Sequence, residues 1–439
     1  MRIFTIFFLL FVSVLSCNSR SSSDSSKDES ALGPLDKVVT YPVTVDLPTA
    51  LQNVDEKVSL STFIESIEYI PLKLKDNFLG EDLVYCVYDE KAERIILSDP
   101  GRVIVVDKQG NFRNKIGNKG GGPGEYTYIS TISIDPEKEN VYLHDSKAKI
   151  VRKYTYDGRF QGKVCRYDNF LIRSVYWANN YFLSQGETYI FYKVKLLDSF
   201  FGYALIDTSG NFIDKTPNLC AQIKDITTEE YVGFIFGFGY SVNFCKDVAL
   251  FLEAGLADTV YTVNNNKLVP RYLLKYGDDR PDVNKMLIRN NDIRMAEIKR
   301  SLFIKDPAYE TSRYFFIRAS KKDDKYIICH DKYENRSFSV KYKENPIIAE
   351  EYLSVKIGFR NDIDGGIDTY LRSISTLGNY WVSCISAYAM KTLLTDEYFA
   401  SHKDVLDKAA QEKLKALVKN LNEEDDQILM LMKVKNDAK

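Results

Sequence analysis

The stretch from Arg94 to Val164 states one pattern twice, and that duplication narrows the possible folds more than any other feature of the chain. In each copy an apolar strand ends in an acidic residue (Asp99, Asp145) and a short turn follows. A second apolar strand then reaches another aspartate (Asp107, Asp157), and a glycine turns the chain into a further strand. Anchored on that glycine, Gly110, Gly158 and Gly210 lie 158 − 110 = 48 and 210 − 158 = 52 residues apart, each two residues before a phenylalanine (Phe112, Phe160, Phe212). A tight hairpin needs a positive φ, which glycine adopts without a Cβ penalty, and the aromatic starts the next strand with a core side chain. Short strands repeated at this spacing are the mark of a β-propeller.

A second register counts the blades. RIILSD (94–99), VYLHDS (141–146), YFLSQG (181–186), ALFLEA (249–254), YIICHD (326–331) and YWVSCI (380–385) are six second strands. Each follows a first-strand segment: LVYCVY, TISIDP, RSVYWA, YSVNFC, YFFIRA and YLRSIS. The expected fold is all-β, a six-bladed propeller over residues 51–439. Spacing widens after the third unit, so insertions sit on loops. Residues 280–305 and 401–420 carry apolar residues near helical spacing, and the second places Val405, Leu406, Ala409, Leu414, Leu417 and Val418 on one side. Ile67–Leu74 precedes the first full blade and Ile428–Val434 follows the last helix, so both termini are expected to complete the sixth blade. Such closure removes exposed strand edges.

The N-terminus reads as a targeting segment. Arg2 supplies charge, Ile3 to Val14 is an apolar run too short for a comfortable membrane span, and Val14-Leu15-Ser16-Cys17 closes it like a bacterial lipobox. On this reading residues 1–16 are a signal peptide and Cys17 is the lipid-attachment residue. Residues 17–50 then form a flexible tether rich in Ser and Asp. Six further cysteines lie mostly in apolar strand-like runs without metal-ligand spacing, which favours free thiols. The 59 basic and 61 acidic residues are spread along the chain, so no nucleic-acid groove is expected.

The lipobox, IEYIPLK, IGNKGGGPGEY followed by SIDPEKENVYLHD, DTVYTV, RNDIDGGID and the terminal ILMLMKVK together resemble a six-bladed β-propeller lipoprotein family of the bacterial envelope, related in architecture to NHL-repeat propellers. The resemblance implies the fold and a lipid-anchored envelope location at the outer membrane, with the periplasmic and surface sides both open. It carries over no catalytic set.

Four constellations have a chemical reading beside a structural one. His144-Asp145 and His330-Asp331 share a repeat position in the second and fifth units, opposite each other in a six-bladed ring. Two imidazoles across a channel suit metal binding or acid–base chemistry; hydrogen bonding within each blade is the alternative. Asp362, Asp364 and Asp368 in NDIDGGIDT suggest a cation loop, but an EF-hand pattern starting at Asp362 puts Ser373 where Glu is needed. Gly120–Tyr126 lacks the Lys-Ser/Thr ending and following helix of a phosphate loop and reads as an inter-blade crossover. Aromatic clusters at 189–203 and 231–240 suit either strand core or stacking on a ligand. No cofactor is expected. The leading functional reading is a non-catalytic binding or scaffolding module for a peptide, glycan or protein partner; the alternative is a propeller lyase or hydrolase with its site at the central channel.

Overall fold

Six antiparallel sheets follow one another along the chain in a computed structural model that describes residues 39–55, 58–74, 85–99, 101–167, 172–178, 180–186, 202–216, 240–245, 248–253, 258–287, 290–304, 309–344, 356–369 and 379–436. Blade 1 comprises Tyr85–Asp89, Arg94–Ser98, Val103–Asp107 and Phe112–Lys115. Blade 2 comprises Ile129–Asp135, Asn140–Asp145, Ile150–Thr155 and Phe160–Arg166. Blade 3 follows with Ile172–Ala178, Tyr181–Gly186, Tyr203–Ile206 and Phe212–Lys215. Blade 4 is built from Tyr240–Cys245, Val248–Glu253, Thr259–Asn264 and Lys267–Lys275. Blade 5 has Tyr314–Lys321, Asp324–Asp331, Arg336–Glu344 and Lys356–Ile357, extended beyond its first strand by Leu302–Ile304 and Tyr309–Glu310.

Both termini meet in blade 6. Ile64–Pro71 pairs with Ile428–Val434, which pairs with Tyr380–Ile385. This is the expected closure; the expected first strand of that blade, residues 370–375, lies outside the described residues.

Six hydrophobic cores lie between consecutive blades, and the sixth returns to the first. Leu97 and Ile104 of blade 1 pack with Leu429 and Leu431 of blade 6, as Val105 of blade 1 packs with Leu143 of blade 2. Blades 2 and 3 share Val151 and Phe182, blades 3 and 4 Leu205 and Val263, blades 4 and 5 Tyr272 and Phe315, and blades 5 and 6 Phe316 and Trp381. A blade packed on both faces needs apolar side chains on both. The third strand of blade 1, VIVVD, is accordingly buried at every position instead of alternating.

The repeat glycines also hold the blades close. Gly110, Gly158 and Gly210 have φ of 80°, 83° and 85°. An added Cβ would stand 2.3 Å from Pro71 O, 2.4 Å from Lys115 O and 2.4 Å from Arg166 O, in each case a carbonyl at the end of the preceding blade's last strand. The hydrogen bonds that close these turns correct one alignment. Gly110 and Gly210 donate to the carbonyls of Asp107 and Asp207, whereas Gly158 donates to Thr155, so Thr155, not Asp157, is the counterpart of Asp107.

The tether expected to run to residue 50 ends earlier. Val43–Asp46 adds in parallel to the fourth strand of blade 4, pairing Val43 with Tyr272 and Asp46 with Lys275. Helix Leu47–Gln52, capped by Asp46, then buries Leu47 and Ala50. Val54 bridges to Ser339 of blade 5 before the chain enters blade 6. Residues 39–55 and 58–71 therefore strap three blades before blade 1 begins.

The first insertion forms two helices, Val283–Leu287 and Asn291–Arg300, and the second is seated mainly by Glu297, whose carboxylate binds Arg300 and the Asp282 amide. The second insertion differs from expectation. Its helix begins only at Lys408, behind the Asp407 cap, and buries Gln411, Leu414 and Val418, while Leu406 is 72% exposed. Residues 402–406 separate it from a shorter helix, Asp396–Ser401, which Thr395 caps and which Ala387–Leu393 precedes. Cys86, Cys165 and Cys329 are buried free thiols and Cys384 a half-buried one.

Candidate functional site

The two histidines are built into their blades. His144 is fully buried, with Nδ1 2.6 Å from Ser130 Oγ and Nε2 in contact with the Tyr167 hydroxyl. A consistent donor set has Tyr167 O–H donating to Nε2, Nδ1–H donating to Ser130 Oγ, and Ser130 O–H donating to the His144 carbonyl at 3.2 Å. Burial lowers the His144 pKa to about 3, so the imidazole is neutral. His330 is 2% exposed, its Nδ1 lies 2.9 Å from Ser337 Oγ, and burial lowers its pKa too.

Their neighbouring aspartates are turn caps. Asp145 accepts from Thr127 N at 2.7 Å and Ala148 N at 3.1 Å, and pairs with Arg152 at 2.8 Å. Asp331 accepts from Tyr333 N and Glu334 N and pairs with Arg313 at 2.7 Å. Asp99 does the same in blade 1, with Gly101 N and Arg102. Burial pushes the Asp145 and Asp331 carboxyls up, but these hydrogen bonds and arginines outweigh it and hold both below the usual range.

NDIDGG is a junction. Asp362 accepts from Ser61 N and Oγ at 3.0 and 2.6 Å; Asp364 Oδ1 accepts from Asn361 Nδ2, Gly366 N and Tyr69 OH; Asp368 accepts from Asn361 N. The three carboxylates are thus taken up by hydrogen bonds within the junction, Asp364 and Asp368 sharing Asn361, and among the described residues no three His, Cys, Asp or Glu side chains group as metal ligands. The glycine-rich crossover closes on itself: Glu125 Oε2 accepts from Gly122 N at 2.7 Å, so the loop's own carboxylate takes an amide that an anion would use. Cys17 lies outside the described residues, as do the aromatic clusters at 189–203 and 231–240, apart from buried Tyr203 and the backbone of Tyr240.

Two features not read from the sequence lie along the strap. An open cleft of about 860 Å³ is lined by Thr44, Asp46, Asp258, Leu273, Lys275 and Arg280, with Arg280 paired to Asp258 at 2.9 Å. Where the strap enters, Glu310 is held between Arg271 at 2.6 Å and Lys332 at 2.6 Å, with only 6% of its side chain exposed. Tyr41 completes the group: its hydroxyl donates to Glu310 Oε1 at 2.7 Å and its ring lies 3.9 Å from the Arg271 guanidinium. Burial pushes the Glu310 carboxyl up, and its two cations outweigh this and keep it ionised. Burial and then the Glu310 charge raise the Tyr41 phenol. Residues 41, 271, 310 and 332 share no spacing or motif, and only the alternation Tyr41-Val43-Val45-Leu47 hints that this segment is a strand.

A crystal structure of a protein described as exported, from Bacteroides fragilis, is similar to this chain with 21% identity and a TM-score of 0.62, covering 90% of this chain and 99% of that one. A member of the DUF4221 family from Bacteroides vulgatus matches at 10% identity and a TM-score of 0.46, over 85% of this chain and 98% of that one. Comparison with curated proteins gives no match. Among the described residues no helix is long and apolar enough to cross a membrane. The profile of one family covers residues 42–433, from the strap to the closing strand, and the chain belongs to that family, described as the domain of unknown function DUF4934.

Proposed function

We propose that this is a lipid-anchored envelope protein, attached through Cys17, whose propeller is a non-catalytic binding or scaffolding module for a peptide, glycan or protein. The observation that carries the reading is the engagement of His144, Asp145 and Asp331 in holding the fold. His144 is neutral and enclosed by Ser130 and Tyr167, and Asp145 and Asp331 cap turns under arginines. Groups so committed cannot exchange protons with a substrate without opening a blade. The lipobox-like VLSC segment and the likeness to a protein described as exported support the envelope location.

The test is identification of what co-purifies after cross-linking in the native envelope. A stoichiometric protein or glycan partner is expected. Tightly held stoichiometric metal, lost on replacing His144 or His330, would overturn the non-catalytic reading. For the anchor, Cys17→Ala should release the protein from the membrane fraction, and full retention would count against lipidation.

A further inference from the structure

Blade 4 already has four antiparallel strands when Val43–Asp46 adds a fifth, in parallel, beyond Lys267–Lys275. Among the described residues no other sheet takes a strand from a distant part of the chain, apart from the closing blade. The added segment is read at alternate positions, as extended peptides are. Tyr41 enters the charged group of Arg271, Glu310 and Lys332, and Val45 and Leu47 are fully buried against blades 4 and 5. Thr44 and Asp46 face outward, into the open cleft.

A carboxylate flanked by two cations, all three mostly buried, is costly to desolvate, and here its hydrogen bonding is completed by a tyrosine from the strap. Such a pocket specifies one side chain, while the sheet edge supplies sequence-independent backbone pairing. Together they have the two parts of a strand-addition site.

We infer that the edge of blade 4 is a strand-receiving peptide site, occupied in this chain by its own Tyr41–Leu47, and that an extended peptide with Tyr at its first position and aliphatic residues at the third, fifth and seventh can take it in trans. This rests on the binding-module reading and names its ligand class.

The test uses the full chain with a protease recognition sequence inserted after Asp55, cut after folding so that the strap is held only by its contacts. A fluorescein-labelled peptide of residues 39–55 should bind the cut protein saturably and at least ten-fold more tightly than the uncut one. The same peptide with Tyr41→Ala should bind at least ten-fold more weakly. The inference is overturned if the strap fragment cannot be exchanged, if exchange ignores Tyr41→Ala, or if the ring loses its cooperative unfolding when the fragment leaves. A native partner that binds the uncut chain and is not displaced by the peptide would leave the binding module standing and remove this site from it.

Discussion

Gly158 of blade 2 stands so close to the carbonyl of Lys115 in blade 1 that a Cβ on it would lie 2.4 Å from that oxygen. The contact recurs between Gly110 and Pro71 and between Gly210 and Arg166, so each glycine serves a left-handed turn and an inter-blade approach together. Gly158→Ala should destabilise by roughly 1–3 kcal/mol, from φ strain with the carbonyl clash added. Gly121→Ala, in open space, should change stability by less than about 0.5 kcal/mol. Urea unfolding of both measures the contrast, and equal effects would remove the packing role.

How much of this was legible follows from which interactions are local. The turn glycines, the second strands and the meeting of Ile67–Leu74 with Ile428–Val434 could be read because each blade is a short-range meander with its own apolar runs. Thr155 is hidden in the sequence because Asp157 stands two residues away and looks like the repeat aspartate, whereas the turn is defined by a backbone hydrogen bond that any residue can make. Tyr41–Leu47 reads as tether because Ser- and Asp-rich sequence precedes it, and its burial depends on Lys267–Lys275, more than two hundred residues away. The paired histidines had the right repeat position, but only the fold could place Ser130 and Tyr167 around one of them.

Leu429 joins the C-terminal strand to blade 1, with Leu97 and Ile104 across the seam. Leu429→Ala should cost about 2–5 kcal/mol, as for other fully buried leucines. Deleting Ile428–Val434 should go further, leaving Ile64–Pro71 and Tyr380–Ile385 without the strand between them. Loss of a cooperative thermal transition in the deletion is the expected outcome; a sharp transition would mean that the ring does not depend on this strand.

His144 gives the stability a pH dependence of known sign. Its pKa is lowered from 6.5 to about 3 in the folded chain, so the unfolded chain binds the proton first. The stability linked to this group is complete above about pH 6.5 and is lost progressively as pH falls toward 3. His144→Gln should therefore flatten the fall in Tm between pH 6.5 and 4 relative to the parent, even if its Tm at pH 7.5 is lower. Parallel Tm-against-pH curves for the two proteins would show that His144 is not protonated on unfolding.

Gly366 tests whether NDIDGG is a junction or a ligand loop. A Cβ there would stand 2.3 Å from the Tyr69 hydroxyl and 3.0 Å from Leu414 Cδ2, so it would press the closing blade's N-terminal strand and the C-terminal helix at once. Asp364, beside it, holds Tyr69 and the Gly366 amide through the same carboxylate oxygen. Gly366→Ala should lower stability by about 1–3 kcal/mol, the range for overpacking a closed site, and pairing it with Tyr69→Phe should recover part of the loss by removing the oxygen in the way. Tm should be unchanged by calcium or by chelator in the parent. A chelator-dependent Tm, with no rescue in the double variant, would return this loop to the cation-binding reading.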